Sequence, residues 1–225
     1  MRLGMPLLAL FALVVLGACG GSDTKEPLTL SQRVVLEEDA PGSKPDPVEK
    51  GQQTTDFDEF IGALGELAVD PDTETMTDVF REAGFQAAIA DTRFYGETHR
   101  MTSPHIFSSV IQLRSEDGAA KALEWAHEDS LKPCPKTCAQ RISEFEVEGI
   151  PDAHGVRRSA SAEDIEAIGQ EGDVPFDSYQ VLFSDGPFVY TVDVHGPPGS
   201  VTEAQVEEMA TALHSRVEGA PPPGG

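Results

Sequence analysis

The chain has 225 residues, with 16 Lys plus Arg against 39 Asp plus Glu, a formal net charge of −23. That balance excludes general nucleic-acid binding, which depends on cations that displace condensed counterions. It also argues against an electrostatic patch for anionic lipid headgroups, which would repel such a surface. Divalent cations and basic partners remain open, although a solvated acidic surface is the plainer reading.

The chain opens with one cation, Arg2, and an apolar segment from Met5 to Leu16. About 12 apolar residues fall short of the roughly 20 that a spanning helix needs, but they suit a secretory h-region. Leu16-Gly17-Ala18-Cys19 follows directly. This stretch resembles the lipobox of bacterial lipoproteins, a Leu, two small residues and a Cys. Gly17 and Ala18 fit a narrow protease cleft that must admit an extended backbone. The resemblance implies a signal peptide over residues 1–18, cleavage between Ala18 and Cys19, and a diacylglycerol thioether with palmitate-type chains on Cys19. One acyl chain anchors marginally and two hold stably, so such a Cys19 tethers the chain to the extracytoplasmic face of the cell membrane. The alternative is an ordinary secretory signal with a coincident cysteine. Loss of residues 1–18 removes Arg2 and no acid, leaving 15 Lys plus Arg against 39 Asp plus Glu, a charge of −24.

Residues 19–27, ending in GGSDTKEP, read as a polar, glycine-rich tether. LTLSQRVVLEE, from Leu28, suits an N-terminal strand, and APGSKPDPVEKGQQT, 40–54, has the composition of a long loop. The first clear helix lies in TDFDEFIGALGELAV. Phe57, Phe60, Ile61, Leu64 and Leu67 recur there at helical spacing, and Thr55 with Asp58 resembles a capping arrangement. A second helix is expected from about Thr73 to Ala83, with Met76, Val79 and Phe80 on one stripe and Gly84 as its stop. Two β-like runs follow, FQAAIADTRFYG and HIFSSVIQL. SEDGAAKALEWAHED then places Ala119, Ala122, Leu123 and Ala126 on one helix face, with Ser115 as N-cap.

CPKTC comes next. With Cys19 acylated, Cys134 and Cys138 are the remaining pair, and an exported protein permits a disulfide between them. A five-residue ring yields only about 2 kcal/mol of chain entropy, so its role is to shape a turn that Pro133 and Pro135 stiffen. A redox dithiol is the functional alternative, but the spacing is C-x3-C and no helix signal follows the first cysteine to lower its pKa. A reduced or intermolecular state also stays open. A metal site lacks further ligands at zinc spacing.

RISEFEVEGI and HGVRRSA then read as strands, and AEDIEAI as a short helix stopping at Gly169. The strongest hairpin is DSYQVLFSDGPFVYTVDVHG. Tyr179, Val181 and Phe183 alternate before a two-residue Asp185-Gly186 turn, and Phe188, Tyr190, Val192 and Val194 alternate after it. The last helix opens on a Thr202/Gln205 capping box. It turns Val206, Met209, Ala210, Leu213 and Val217 inward and sets His214 and Arg216 at the negative end of its dipole. GAPPPGG, 219–225, reads as a disordered tail. Residues 107–126 and 188–213 echo each other as strand, polar loop and helix, through either duplication or convergent packing.

Familiar catalytic constellations are missing: no G-x-S-x-G, P-loop, H-E-x-x-H or S-x-x-K. DPDTET from Asp70 has Thr75 where a calcium loop requires glycine and Arg81 where it requires glutamate. Asp193 and His195, two apart on one strand, share a face. They suit either an oriented general base or the polar side of a half-buried strand. His99 and His105 flank a turn without carboxylate support for a metal. His127, at a helix edge, reads as satisfied or solvent-facing, and Phe188 and Tyr190 as core rather than pocket.

The order of elements predicts an α+β fold, a mainly antiparallel sheet packed with amphipathic helices, in one domain over residues 28–218. No segment after Cys19 is apolar enough to span a bilayer. The cysteine loop, GIPDAHGV and GPFVYTV resemble actinobacterial surface lipoproteins and the extracellular sensor domain of mycobacterial PknH-type receptor kinases, over roughly residues 73–217. The second disulfide of that sensor type is missing. The resemblance implies a non-catalytic binding, sensing or envelope-interaction module, taking a small-molecule or envelope-protein ligand, with no cofactor and no nucleic acid. The rival reading is an extracytoplasmic enzyme with a site near Asp193 and His195, and a purely structural envelope protein is the third.

Overall fold

The computed structural model describes residues 25–47, 51–67, 73–96, 103–133, 140–168 and 174–222. Ala18, Cys19, Asp70, His99, Cys134, Cys138 and Gly169 lie outside the described residues.

The chain forms eight strands among the described residues: β1 Ser43–Pro45, β2 Gln52–Thr54, β3 Ala87–Tyr95, β4 His105–Gln112, β5 Arg141–Phe145, β6 His154–Ala160, β7 Phe176–Asp185 and β8 Phe188–Gly196. They form one antiparallel sheet in the order β1-β3-β4-β8-β7-β6-β5, with β2 pairing β3 beside β1. Five helices accompany it: α1 Phe57–Leu67, α2 Thr73–Ala83, α3 Glu116–Ser130, α4 Ala162–Ile168 and α5 Glu203–Val217. The α+β class follows, as its sequence pattern predicts.

Helices cover both faces. On one, Tyr179, Val194 and Ile106 lie side by side across β7, β8 and β4, as do Phe183, Tyr190 and Val110. They pack under Val206, Met209, Ala210, Leu213 and Val217 of α5, and the Phe183 and Tyr190 rings stack at 4.7 Å. Phe188 and Tyr190 are therefore core. On the other face, Ala88, Ile111, Leu182 and Val189 meet Phe60, Met76, Phe80, Ala119, Ala122 and Leu123 of α1, α2 and α3. A Cβ on Gly118 would lie 2.6 Å from the Ala83 carbonyl oxygen, so glycine permits α3 to close on the end of α2. The echoing segments are β4–α3 and β8–α5, with their helices on opposite faces of the sheet.

Ser115 caps α3 by accepting from Gly118 N, and Thr202 with Gln205 forms the expected capping box on α5. Several expectations need correction. Leu28 to Glu38 is not a strand. It makes a 3-10 turn, Leu30–Gln32, and then crosses a sheet face, where Val35 N donates to Ser108 Oγ at 3.1 Å. The 40–54 loop contains β1 and β2, which together pair along the outer edge of β3. The α1 cap is Asp56, whose Oδ1 accepts from Asp58 N and Glu59 N, rather than Thr55. In the hairpin Asp185 pairs with Phe188, so Gly186 and Pro187 form the turn, with Gly186 at φ 54 where a side chain would be strained.

The chain after Val217 also differs from a free tail. Ala220 is buried, and the Ala220 and Pro221 carbonyls accept from Arg33 at 2.7 and 2.8 Å. Arg33 is itself fully buried over the Phe188 ring, donating also to Tyr190 Oη at 2.8 Å. Arg216 ties Asp39 and the Gln32 and Val34 carbonyls to α5. Residues 32–39 and 216–221 are thus clasped together on one face.

Candidate functional site

Strand register decides which side chains line up beneath α1 and α3. One row runs Arg158, Ser178, His195, His105 across β6, β7, β8 and β4. The next holds Val156, Gln180, Asp193 and Phe107, and the third His154, Leu182, Thr191 and Ser109. Val189, Ile111 and Ala88 form the row beyond. Polarity therefore falls along the strands. The alternation that buries Tyr179, Val181 and Phe183 on one face places Ser178 and Gln180 on the other.

A cavity of about 610 Å³ lies between this floor and a roof that includes Phe60, Leu64 and Trp125. That volume suits a small organic ligand. At the apolar end Phe80 meets Phe60 edge-on at 5.1 Å and Trp125 at 5.4 Å. At the polar end a file of rings, Phe176, His195, His105 and Phe94, has centroid spacings of 4.8, 4.9 and 5.8 Å.

Asp193 accepts from Ser178 Oγ at 3.0 Å. Burial raises its carboxyl pKa, and the Ser178 hydrogen bond, Arg158 and His105 oppose that rise. Burial lowers the pKa of His195, which favours the neutral imidazole. Arg158 donates to the Ser130 carbonyl at 2.9 Å and to Gln180 Oε1 at 3.4 Å, and Ser130 Oγ donates to the same Gln180 oxygen at 2.9 Å.

Asp193 and His195 do share a face, as their spacing predicts, but that face looks into the cavity rather than to solvent. Among the described residues Asp193 bonds Ser178 and not His195, so the two do not form a hydrogen-bonded acid–base pair. His105 joins them on the floor. His127 lies apart, its Nε2 2.9 Å from Glu144 Oε1 and its ring stacked on His154 at 3.8 Å. Among the described residues no group of three His, Cys, Asp or Glu is arranged to hold a metal, and no helix is long and apolar enough to cross a membrane. Sequence reasoning passed over Arg158, Ser178, Gln180 and Trp125. Strand alternation marks the first three as one face, but only the helix layer above turns that face inward.

The fold and cavity define an antiparallel α+β sandwich with a chamber between one helix layer and the sheet. No family model matches the chain. No curated protein matches it either. Among solved structures it is similar to the crystal structure of the extracellular domain of PknH from Mycobacterium tuberculosis, at 14% identity and a TM-score of 0.48. The similarity covers 84% of this chain and 91% of that one.

Proposed function

We propose that this chain is a lipid-anchored, extracytoplasmic binding protein that holds a small molecule in the cavity between the sheet and helices α1 and α3. The observation that carries the binding role is the cavity itself, about 610 Å³ with apolar and hydrogen-bonding walls inside one domain. The anchor rests on Leu16-Gly17-Ala18-Cys19 behind an apolar leader. In this reading residues 1–18 are removed, Cys19 carries the acyl chains, residues 19–27 form the tether, and Cys134 and Cys138 are paired by the oxidising compartment. An envelope-protein ligand is the other partner class the resemblance suggests.

Native mass spectrometry of protein taken from cells tests both parts. The expected result is an acylated Cys19 at the mature N-terminus and a stoichiometric co-purified small molecule. A bare Cys19 thiol refutes the anchor. Failure of Trp125 fluorescence to respond to that molecule refutes the cavity as its site. An enzyme using Asp193 and His195 draws support from their shared place on the floor. The Ser178–Asp193 bond, in place of an Asp193–His195 bond, favours binding over general-base chemistry.

A further inference from the structure

Among the charged side chains that line the cavity, Glu59 accepts from Thr54 and Asp129 pairs with Lys132, whereas Arg158 and Asp193 form no ion pair among the described residues. The hydrogen bonds of Arg158 go to neutral acceptors, the Ser130 carbonyl and the Gln180 amide oxygen. Among the described residues Arg81, Arg93, Arg141, Arg157 and Arg216 each lie within 4.0 Å of a carboxylate, and Arg33, which does not, gives its donors to buried acceptors. A guanidinium has five N–H donors in a fixed fork, so Arg158 keeps donors to spare. Asp193 has one hydrogen-bond partner among the described residues, the neutral Ser178 hydroxyl. In the sheet, Ser178 stands beside Arg158 and Gln180 beside Asp193, so neutral side chains separate the two charges.

Each is half-buried and lines the cavity, so its spare hydrogen-bonding capacity is open to a molecule held there. We propose that the cavity takes an amphiphile with a zwitterionic head, its cationic group at Asp193, its anionic group at Arg158 and its apolar body beneath α1 and α3. The row of Val189, Ile111 and Ala88 under Phe60, Phe80 and Trp125 supplies the apolar berth. A purely anionic head would meet Asp193 in a chain of charge −23, and a purely cationic head would meet Arg158. Each like charge acts against the wrong ligand. A neutral polyol leaves both charges uncompensated. This inference rests on the cavity being the binding site, and the test separates the two.

Trp125 is the single tryptophan of the chain and lines the cavity, so its fluorescence reports occupancy directly. Asp193 lies one row nearer the apolar berth than Arg158, so the head carries its cation beside the tail and its anion beyond. The full-length chain carrying Cys19→Ser is titrated, below micelle-forming concentrations, with four probes sharing a ten-carbon tail: the sulfobetaine decyldimethylammoniopropanesulfonate, decyltrimethylammonium, decanoate and decyl maltoside. The sulfobetaine is expected to bind at least about tenfold more tightly than the others, the scale of one desolvated charge contact. Asp193→Asn should move the preference to decanoate, and Arg158→Gln to decyltrimethylammonium. Preference ratios within one variant are independent of its overall stability, and circular dichroism checks that each variant is folded. Equal binding of all four probes, tighter binding of the maltoside, or an unchanged order in both variants overturns the head assignment and leaves the cavity reading intact. No response to any probe overturns both.

Discussion

Arg33 is the sharpest energetic test of how Ala220 and Pro221 are held. It is fully buried, with short hydrogen bonds to Tyr190 Oη and the Ala220 and Pro221 carbonyls, and its guanidinium lies 3.9 Å from the Phe188 ring centroid. Hydrogen bonds from a charged donor contribute about 1.5–3 kcal/mol each, and a desolvated stack on an aromatic ring about 2 kcal/mol. Against these stands the desolvation of the cation, several kcal/mol that no carboxylate offsets among the described residues. Arg33→Met should therefore cost about 3 kcal/mol, taking the three lost bonds and the stack less the recovered desolvation. In a domain of this size that lowers Tm by about 6–12 °C. Arg33→Lys should cost at least as much, because lysine keeps the buried charge and loses the planar fork. Urea unfolding followed at Trp125 measures both. An Arg33→Lys variant within about 0.5 kcal/mol of the parent, the range of an ordinary surface substitution, would refute the clasp.

Tyr190 is pushed up to about 12 by burial, with Arg33 opposing the rise. The unfolded phenol ionises near 10, so its contribution is complete below pH 10 and is lost as pH rises toward 12, at most about 3 kcal/mol. Tyr190→Phe should flatten that alkaline slope in urea titrations, and an unchanged slope counts against it. Burial lowers the pKa of both His154 and His195. Their contribution is complete above the unfolded value and lost as pH falls through the folded one, so His154→Phe should reduce acid destabilisation below pH about 6.5. Gly118→Ala gains about 1 kcal/mol of helix propensity. Its Cβ would nevertheless lie 2.6 Å from a backbone oxygen, and overpacking costs about 1–3 kcal/mol. A net loss is expected, and a raised urea midpoint would contradict it.

Strongly periodic segments were legible because packing on both faces agrees with local pattern. Helix α2 begins and ends where Thr73 and Gly84 place it, and α5 opens on its Thr202 capping box. The errors lie where a distant partner decides. Leu28 to Glu38 has strand-like composition, but Arg33 must reach Tyr190 and Pro221, which draws the segment across a sheet face instead of into a ladder. The 40–54 region looks like loop because short edge strands carry little pattern, yet β3 has an open edge for them to pair. Asp193 and His195 were readable as sharing one face. That the face is enclosed depends on α1 and α3, and no local signal in β8 could carry it.

The cavity is no ordinary packing defect, because it opens to solvent and its floor carries Arg158, Ser178, Asp193 and His195. Apolar side chains bordering such a gap would close on one another, as Phe183, Tyr190 and the inner residues of α5 do on the opposite face. Here the polar rows prevent closure, because drawing α3 down onto Asp193, His195 and Gln180 would bury unmatched hydrogen-bonding groups. Solvent can satisfy those rows but gains nothing from the aromatic end. A molecule with one polar and one apolar end removes both penalties together. The opposite face is closed instead by apolar packing under α5 and by Arg33 and Arg216, which tie residues 32–39 to residues 216–221.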